Sequence, residues 1–372
     1  MRRYPAAVFV LILFLGCAIY GPSLLVSSDA GEAGATDAGS DAPACQRATY
    51  PGRPMKDDGT QDAGDIVLAL RSIRFDVDAG GGSLLGYDLD RSCTCPAPPS
   101  CKADATVCDD PNGRDNSGGV LLESFTAFAG SAFDAQKLNA KINNGEFTML
   151  VRIRDWNGTG NDTQVTGEIF LSNGNKGSED GGVPQLPKWD GTDSWTLDPN
   201  TLFGGAGPPY IPLPDSVDIA GYVTDGLFVA AIGEVNINLV AGMGIGSLKL
   251  NVSGAILTGH LTKMSNLYKM DDGLLAGRWP SRKFLTSFAT VPNPLGPGYL
   301  CGDSGTYASI KKLICNARDI SSVVQNDNTG APCDAVSIGF GLVATQAQLG
   351  NVNKKPPPLQ PCGPMWDDDC NR

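Results

Sequence analysis

The sequence contains very little histidine and little positive charge. His260 is the single histidine among 372 residues, so most histidine-dependent chemistry, including multi-histidine zinc sites, is excluded. Lysine and arginine number 28 against 40 aspartate and glutamate residues, which gives a net charge of −12. There is no basic cluster to override this negative field, which repels phosphate backbones. The charge therefore excludes nucleic acid as a partner.

Glycine and proline are abundant, at 47 and 26 residues, which is typical of strands joined by many turns. Apolar residues at every second position predict strands at residues 65–77, 147–153, 165–172, 217–224, 227–239, 246–261 and 336–345. Helical spacing predicts helices around Phe125 and Ile310, at 134–143, and at 281–290 with Ser281 as its N-cap. Residues 173–214 are expected to form a long irregular segment. The expected fold is mainly β with a few helices (α+β), an antiparallel sheet or sandwich stapled by disulfides.

The eleven cysteines are an odd number, and Cys17 stands apart from the rest. The other ten form two groups of five: Cys45, Cys93, Cys95, Cys101 and Cys108, and then Cys301, Cys315, Cys333, Cys362 and Cys370. Because each group has an odd count, complete pairing requires at least one disulfide between the groups. Zinc is the alternative for the four thiols at 93–108, but their spacing is not that of paired C-x2-C knuckles.

The first 16 residues have the layout of a signal peptide, with Arg2 and Arg3 before an apolar run at 6–15. The following Phe14-Leu15-Gly16-Cys17 resembles the lipobox of bacterial lipoproteins. This resemblance implies cleavage before Cys17 and acylation of that cysteine, for example with palmitate. Ala18 and Ile19 then imply the outer membrane. Two alternatives are cleavage after Ala18, which would give a soluble secreted protein, and an uncleaved anchor at 6–26.

Residues 17–44 are expected to be a disordered tether, because from residue 27 they are almost entirely Ser, Asp, Ala, Gly and Glu. The composition resembles that of tethers in surface lipoproteins of myxobacteria. Residues 45–372 are expected to form one disulfide-linked extracytoplasmic body.

The loop at 155–162 presents oxygen-bearing side chains at alternate positions, followed by glycine. This pattern resembles the first half of an EF-hand calcium loop, with Asp155, Asn157, Thr159 and Asp162 as candidate ligands. The closing glutamate is replaced by Thr166, so a hairpin loop held by Asx-turns is the favoured interpretation and a calcium loop is the alternative. A second oxygen-rich loop lies at 109–116. We expect no cofactor, and calcium is the one candidate that the sequence offers.

Tryptophans in presumed loops offer a different chemistry. They could stack on a sugar ring or pack the loops onto the core, and they are Trp156, Trp189, Trp195, Trp279 and Trp366. Gly302-Asp303-Ser304-Gly305 resembles the serine motif of trypsin-like proteases, although Thr306 and Tyr307 depart from that family. His260 is expected to be a solvated strand residue and not the partner of a catalytic serine.

We therefore expect a lipoprotein anchored at the cell surface through Cys17, with a non-enzymatic binding or structural role toward a glycan or protein. The alternative is a calcium-stabilised, glycan-binding or glycan-active β-sandwich. A catalytic hydrolase is the third class.

Overall fold

Alternating apolar residues form the strands of this protein, and they face one common core. The computed structural model describes residues 47–60, 62–75, 84–129, 135–177, 182–204, 207–240, 247–293, 296–302, 304–353, 362–363 and 366–371. The expected signal peptide, Cys17, the tether and Cys45 lie outside these residues. The strands are β1 (Ile66–Arg74), β2 (Thr148–Arg154), β3 (Asp162–Asn175), β4 (Ser194–Leu197), β5 (Val217–Thr224), β6 (Leu227–Val240), β7 (Ser247–Met264), β8 (Leu267–Pro280), β9 (Ala335–Gln346) and β10 (Gln348–Val352).

The strands form one sheet that closes on itself. Eight of them follow the order β3-β2-β1-β9-β8-β7-β6-β5, each antiparallel to its neighbours. β5 then pairs back with β3, from Asp162 opposite Val223 to Glu168 opposite Val217, and this pairing closes an eight-stranded barrel. β4 extends the sheet from β3, and β10 runs parallel to β4. The mainly β, antiparallel fold expected from the sequence is confirmed.

Two apolar layers occupy the two faces of the first three strands. Inward residues such as Leu68, Val151 and Ile169 belong to the large core inside the barrel. Their neighbours on the opposite face pack with Trp195 and Leu197 of β4 in a second, smaller cluster. Because both faces are covered, these strands contain nearly continuous apolar runs. β4 lies within residues 173–214, which were expected to be irregular, so that expectation is wrong at this strand.

The described residues form four α-helices, which are α1 (Ser117–Ala129), α2 (Ala135–Asn143), α3 (Ser281–Ala289) and α4 (Ser304–Asn316). All four were expected from their apolar spacing. Phe125 of α1 contacts Phe284 and Phe288 of α3 at ring-centroid distances of 6.2 and 4.7 Å, so both helices join the barrel core. Ser281 is the first residue of α3, and Pro280 occupies the N-cap position instead. Among the described helices, none has the length and hydropathy to cross a bilayer.

Four disulfides join described cysteines. They are Cys95–Cys108, Cys101–Cys333, Cys301–Cys362 and Cys315–Cys370, and Cys93 is disulfide-bonded as well. Cys101–Cys333 joins the first group of cysteines to the second across 232 residues, as their parity requires. A zinc site at residues 93–108 is excluded, because the thiols are consumed in disulfides. Such disulfides are typical of an oxidising, extracytoplasmic compartment.

Candidate functional site

The outer face of β8 and β9 is covered by residues 84–116, which we call the cysteine-rich segment. The two meet at Gly339 of β9, where a Cβ atom would collide with the carbonyl oxygen of Leu85. Asn116 fixes this approach: its Nδ2 donates to the carbonyls of Leu85 (2.7 Å) and Gly339 (3.1 Å), and its Oδ1 accepts from the Gly339 amide (2.9 Å). The same Oδ1 accepts from the amide of Gly119 in the first turn of α1.

Arg278 of β8 points into this interface and is almost fully buried, with 1% of its surface exposed. Its guanidinium donates to both carboxylate oxygens of Asp327 (2.8 and 2.6 Å). It also donates to the carbonyls of Ser321 and Leu89, both at 2.8 Å. Arg278 therefore ties the barrel to residues 321–327 and to the cysteine-rich segment.

Three buried aspartates lie beside this arginine. One carboxylate oxygen from each of Asp88, Asp90 and Asp115 lies within 4.8 Å of the other two, and we call these residues the aspartate triad. The side chains of Asp90 and Asp115 are held by hydrogen bonds: Asp90 accepts from the Ser92 amide (2.8 Å) and the Ser100 hydroxyl, and Asp115 accepts from the Leu89 amide (2.6 Å). Neither oxygen of Asp88 has a hydrogen-bond partner of good geometry among the described residues; the donors that face it are Arg47 Nε, 3.5 Å from Oδ2, and the amides of Arg91 and Ser92.

Burial raises the pKa of every carboxyl of the triad. Together with the charge of Asp90, it raises the pKa of Asp88 to about 6. Burial also raises the pKa of Asp90, and it raises that of Asp115 well above its usual range, with the charges of Asp90, Asp319 and Asp109 adding to the shift. The nearby Asp109 and Asp319 have pKa values raised to about 7 and about 6, again mainly by burial. The ionised form of these buried carboxyls is unfavourable unless a positive charge compensates it.

The candidate calcium ligands at 155–162 lie in the hairpin loop between β2 and β3. Asp162 accepts from the Asn157 amide (2.7 Å), and Asn157 accepts from the amide and hydroxyl of Thr159 (2.9 and 2.6 Å). Asp155 is exposed and accepts from the hydroxyl of Thr166 at 3.0 Å. The loop thus has the hydrogen bonds expected of Asx-turns. These bonds engage side-chain oxygens that the calcium interpretation requires as ligands.

The tryptophans and His260 occupy different environments. Trp156, Trp195 and Trp279 are 4%, 0% and 0% exposed, so their rings pack the interior and present no face to a sugar. His260 is exposed on β7, opposite Leu227 of β6 and Asp271 of β8. Ser304 is the first residue of α4.

Sequence reasoning missed Asp88 and Asp90, although it noted the oxygen-rich loop that contains Asp115. The available signal was the alternation in Tyr87-Asp88-Leu89-Asp90, which places two carboxylates on the same side of an extended segment. Arg114 is adjacent to Asp115 in the sequence, but its side chain pairs with Asp110 at 3.3 Å.

No family model, curated protein or solved structure matches this chain.

The donor set of the triad consists of carboxylate oxygens alone. Carboxyls with raised pKa values also occur in general acid–base catalysis, but here Asp88, Asp90 and Asp115 are only 9%, 3% and 3% exposed. A substrate would have to displace the cysteine-rich segment to reach them. The arrangement is suited to holding a small hard cation or protons.

Proposed function

We propose that this protein is a lipoprotein anchored at the outer membrane or cell surface through Cys17, with a non-enzymatic binding or structural role. The observation that carries the non-enzymatic part is the filled barrel interior. A cavity of about 10 Å³ lies between α2 and the barrel strands and is lined mostly by apolar residues. This volume holds one water molecule at most, so ligand contacts would form on the outer surface of the barrel.

Apolar side chains are exposed on the outer surface, in the segment between β3 and β5. Phe203 and Ile211 are 58% and 52% exposed, and the Phe203 amide donates to the Ile211 carbonyl at 2.8 Å. Two apolar side chains held together and open to solvent are suited to contacting another macromolecule. The glycan-binding alternative has less support, because three of the tryptophans that suggested it are buried.

The anchoring part of the proposal rests on the lipobox-like residues 14–17, and it is supported by the disulfides of the body. Intact-mass analysis of the mature protein, expressed in a lipoprotein-exporting bacterium, is expected to show an acylated Cys17 as residue one. Fractionation should recover it with the membranes. The variant Cys17→Ser keeps the ten other cysteines and should leave the membrane fraction. An unmodified mature chain that begins at Ile19 would overturn the proposal.

A further inference from the structure

The aspartate triad carries more negative charge than the described basic groups balance. Arg47 is the cation placed against it, with its Nε 3.5 Å from Asp88 Oδ2, and about half of the Arg47 side chain (53%) is exposed. Arg278 is engaged by both oxygens of Asp327. A cluster of carboxylates withdrawn from water in this way is unfavourable without a further positive charge.

Asp88 gives an independent sign that something is bound here. Its side chain is 1% exposed, yet among the described residues neither oxygen has a hydrogen bond of good geometry: Arg47 approaches Oδ2 only to 3.5 Å, and the amides of Arg91 and Ser92 have the smallest effect on its pKa. Buried polar atoms in folded proteins are almost always paired, and buried carboxylates are paired or coordinate a metal. Asp90 and Asp115 are already oriented by their donors, and Asp88, whose cation Arg47 is half-exposed, completes the group.

The spacing of the oxygens is compatible with one bound ion, and their chemistry favours calcium. Calcium binds oxygen ligands at 2.3–2.6 Å, so two ligands of one ion lie at most about 5 Å apart. The triad oxygens all lie within 4.8 Å of one another. Magnesium holds ligands at 2.0–2.1 Å and keeps most of its water, which suits it less to three protein carboxylates. Zinc prefers nitrogen and sulfur ligands, which the triad does not offer.

We propose that Asp88, Asp90 and Asp115 bind one calcium ion within the cysteine-rich segment, next to the start of α1. Asp88 and Asp90 flank Leu89, whose carbonyl accepts from Arg278 and whose amide donates to Asp115. The ion would therefore fix the cysteine-rich segment where it already touches β8. This site is distinct from the loop at 155–162 and does not depend on how the protein is anchored.

The test uses the purified full-length protein, stripped with a chelator and dialysed at pH 7.5. Titration calorimetry with calcium chloride is expected to show one site per chain, with a Kd at or below about 1 mM. Calcium at about ten times that Kd should raise the melting temperature by about 2 °C, because it binds the folded chain and not the unfolded one. Magnesium chloride at equal ionic strength should raise it much less.

The decisive variant is Asp88→Asn, which keeps the shape of the side chain and removes its charge. It should weaken calcium binding about tenfold or more. In chelator it should melt no lower than the wild type, because it removes a buried negative charge that the half-exposed Arg47 compensates only in part. A purely structural role of Asp88 predicts the opposite, a lower melting temperature in chelator and unchanged calcium binding.

The matched control is Asp155→Asn, in the other candidate loop. Asp155 is exposed and has a φ of 64°, a conformation that asparagine adopts readily. It should bind calcium as the wild type does. If Asp88→Asn does not fold, Asp90→Asn replaces it with the same expectation for binding. The proposal is overturned if calcium neither binds nor shifts melting up to about 10 mM, if magnesium stabilises equally, or if Asp155→Asn alone loses binding.

Discussion

Buried polar residues on the outward side of β8 and β9 hold the cysteine-rich segment in place. Arg278 bonds to two carbonyls and to Asp327, while Ser337 donates its amide and hydroxyl to Asp319 at 2.8 and 2.5 Å. Removing one partner of such a buried pair leaves the other charge unpaired, which costs more than the pair itself contributes. Each of these side chains therefore matters for stability beyond its own hydrogen bonds.

Asp319 gives the clearest pH dependence. Burial raises its pKa from 3.8 to about 6, despite the bonds from Ser337 that lower it. The folded chain therefore holds a proton that the unfolded chain has released between these two pH values. The free energy of unfolding should fall from pH 4 to pH 6.5 by on the order of 2 kcal/mol from this group alone. Above pH 7 the contribution should be constant.

Urea unfolding in chelator across this range checks the prediction in wild type and Asp319→Asn. The variant cannot ionise at this position, so its stability should decline less steeply as the pH rises. Other buried carboxyls, such as Asp109, contribute a decline that is common to both proteins. Equal slopes for the two proteins would show that Asp319 does not titrate as expected.

At the scale of elements, β9 is the strand that brings the site together. Its inward residues fill the barrel, and its outward glycines admit other chain segments. A Cβ on Gly339 would meet the backbone of Leu85, which cannot swing aside as a side chain can. A Cβ on Gly341, two residues along on the same face, would lie 3.0 Å from the flexible Arg74 side chain.

Gly339→Ala should therefore destabilise the protein by about 1–3 kcal/mol, because it overpacks a rigid contact. It should also weaken calcium binding, since residues 84–90 must move. Gly341→Ala is the matched control and should cost less than half as much. Urea denaturation of both variants measures the difference, and equal costs would contradict the close approach at Leu85.

One strand shows how an element escapes sequence analysis. β8 was not predicted, although it pairs along its length with β7 and β9. Its register shifts between Met270 and Gly273, and Asp272 has a φ of 50°. A bulge of this kind adds a residue to one strand and so interrupts the alternation from which strands are predicted. β4 and β10, of four and five residues, are too short to show a clear alternation.

At the scale of the whole molecule, a long-range disulfide fastens the cysteine-rich segment beside the barrel. Cys101–Cys333 closes a loop of 232 residues, whereas Cys95–Cys108 closes one of 13. In the chain-entropy model the longer loop restricts the unfolded chain more. The expected stabilisation is about 5 kcal/mol for Cys101–Cys333 and about 3 kcal/mol for Cys95–Cys108.

The double variant Cys101→Ala/Cys333→Ala should therefore lose more stability than Cys95→Ala/Cys108→Ala. Denaturant unfolding of the two variants in the same buffer gives the comparison, with intact mass confirming the remaining disulfides. A larger loss for the short loop would show that strain or residual structure in the unfolded chain outweighs loop length.

The sequence by itself determined the strands with regular alternation, all four helices and the need for a disulfide between the two cysteine groups. These features depend on residues close in the chain, or on counting, so no tertiary knowledge is required. Only the tertiary structure decided that β5 pairs with β3, that three tryptophans are buried, and that Asp115 meets Asp88 and Asp90. Such meetings depend on strand register, barrel closure and the space left by Gly339, which no local pattern encodes.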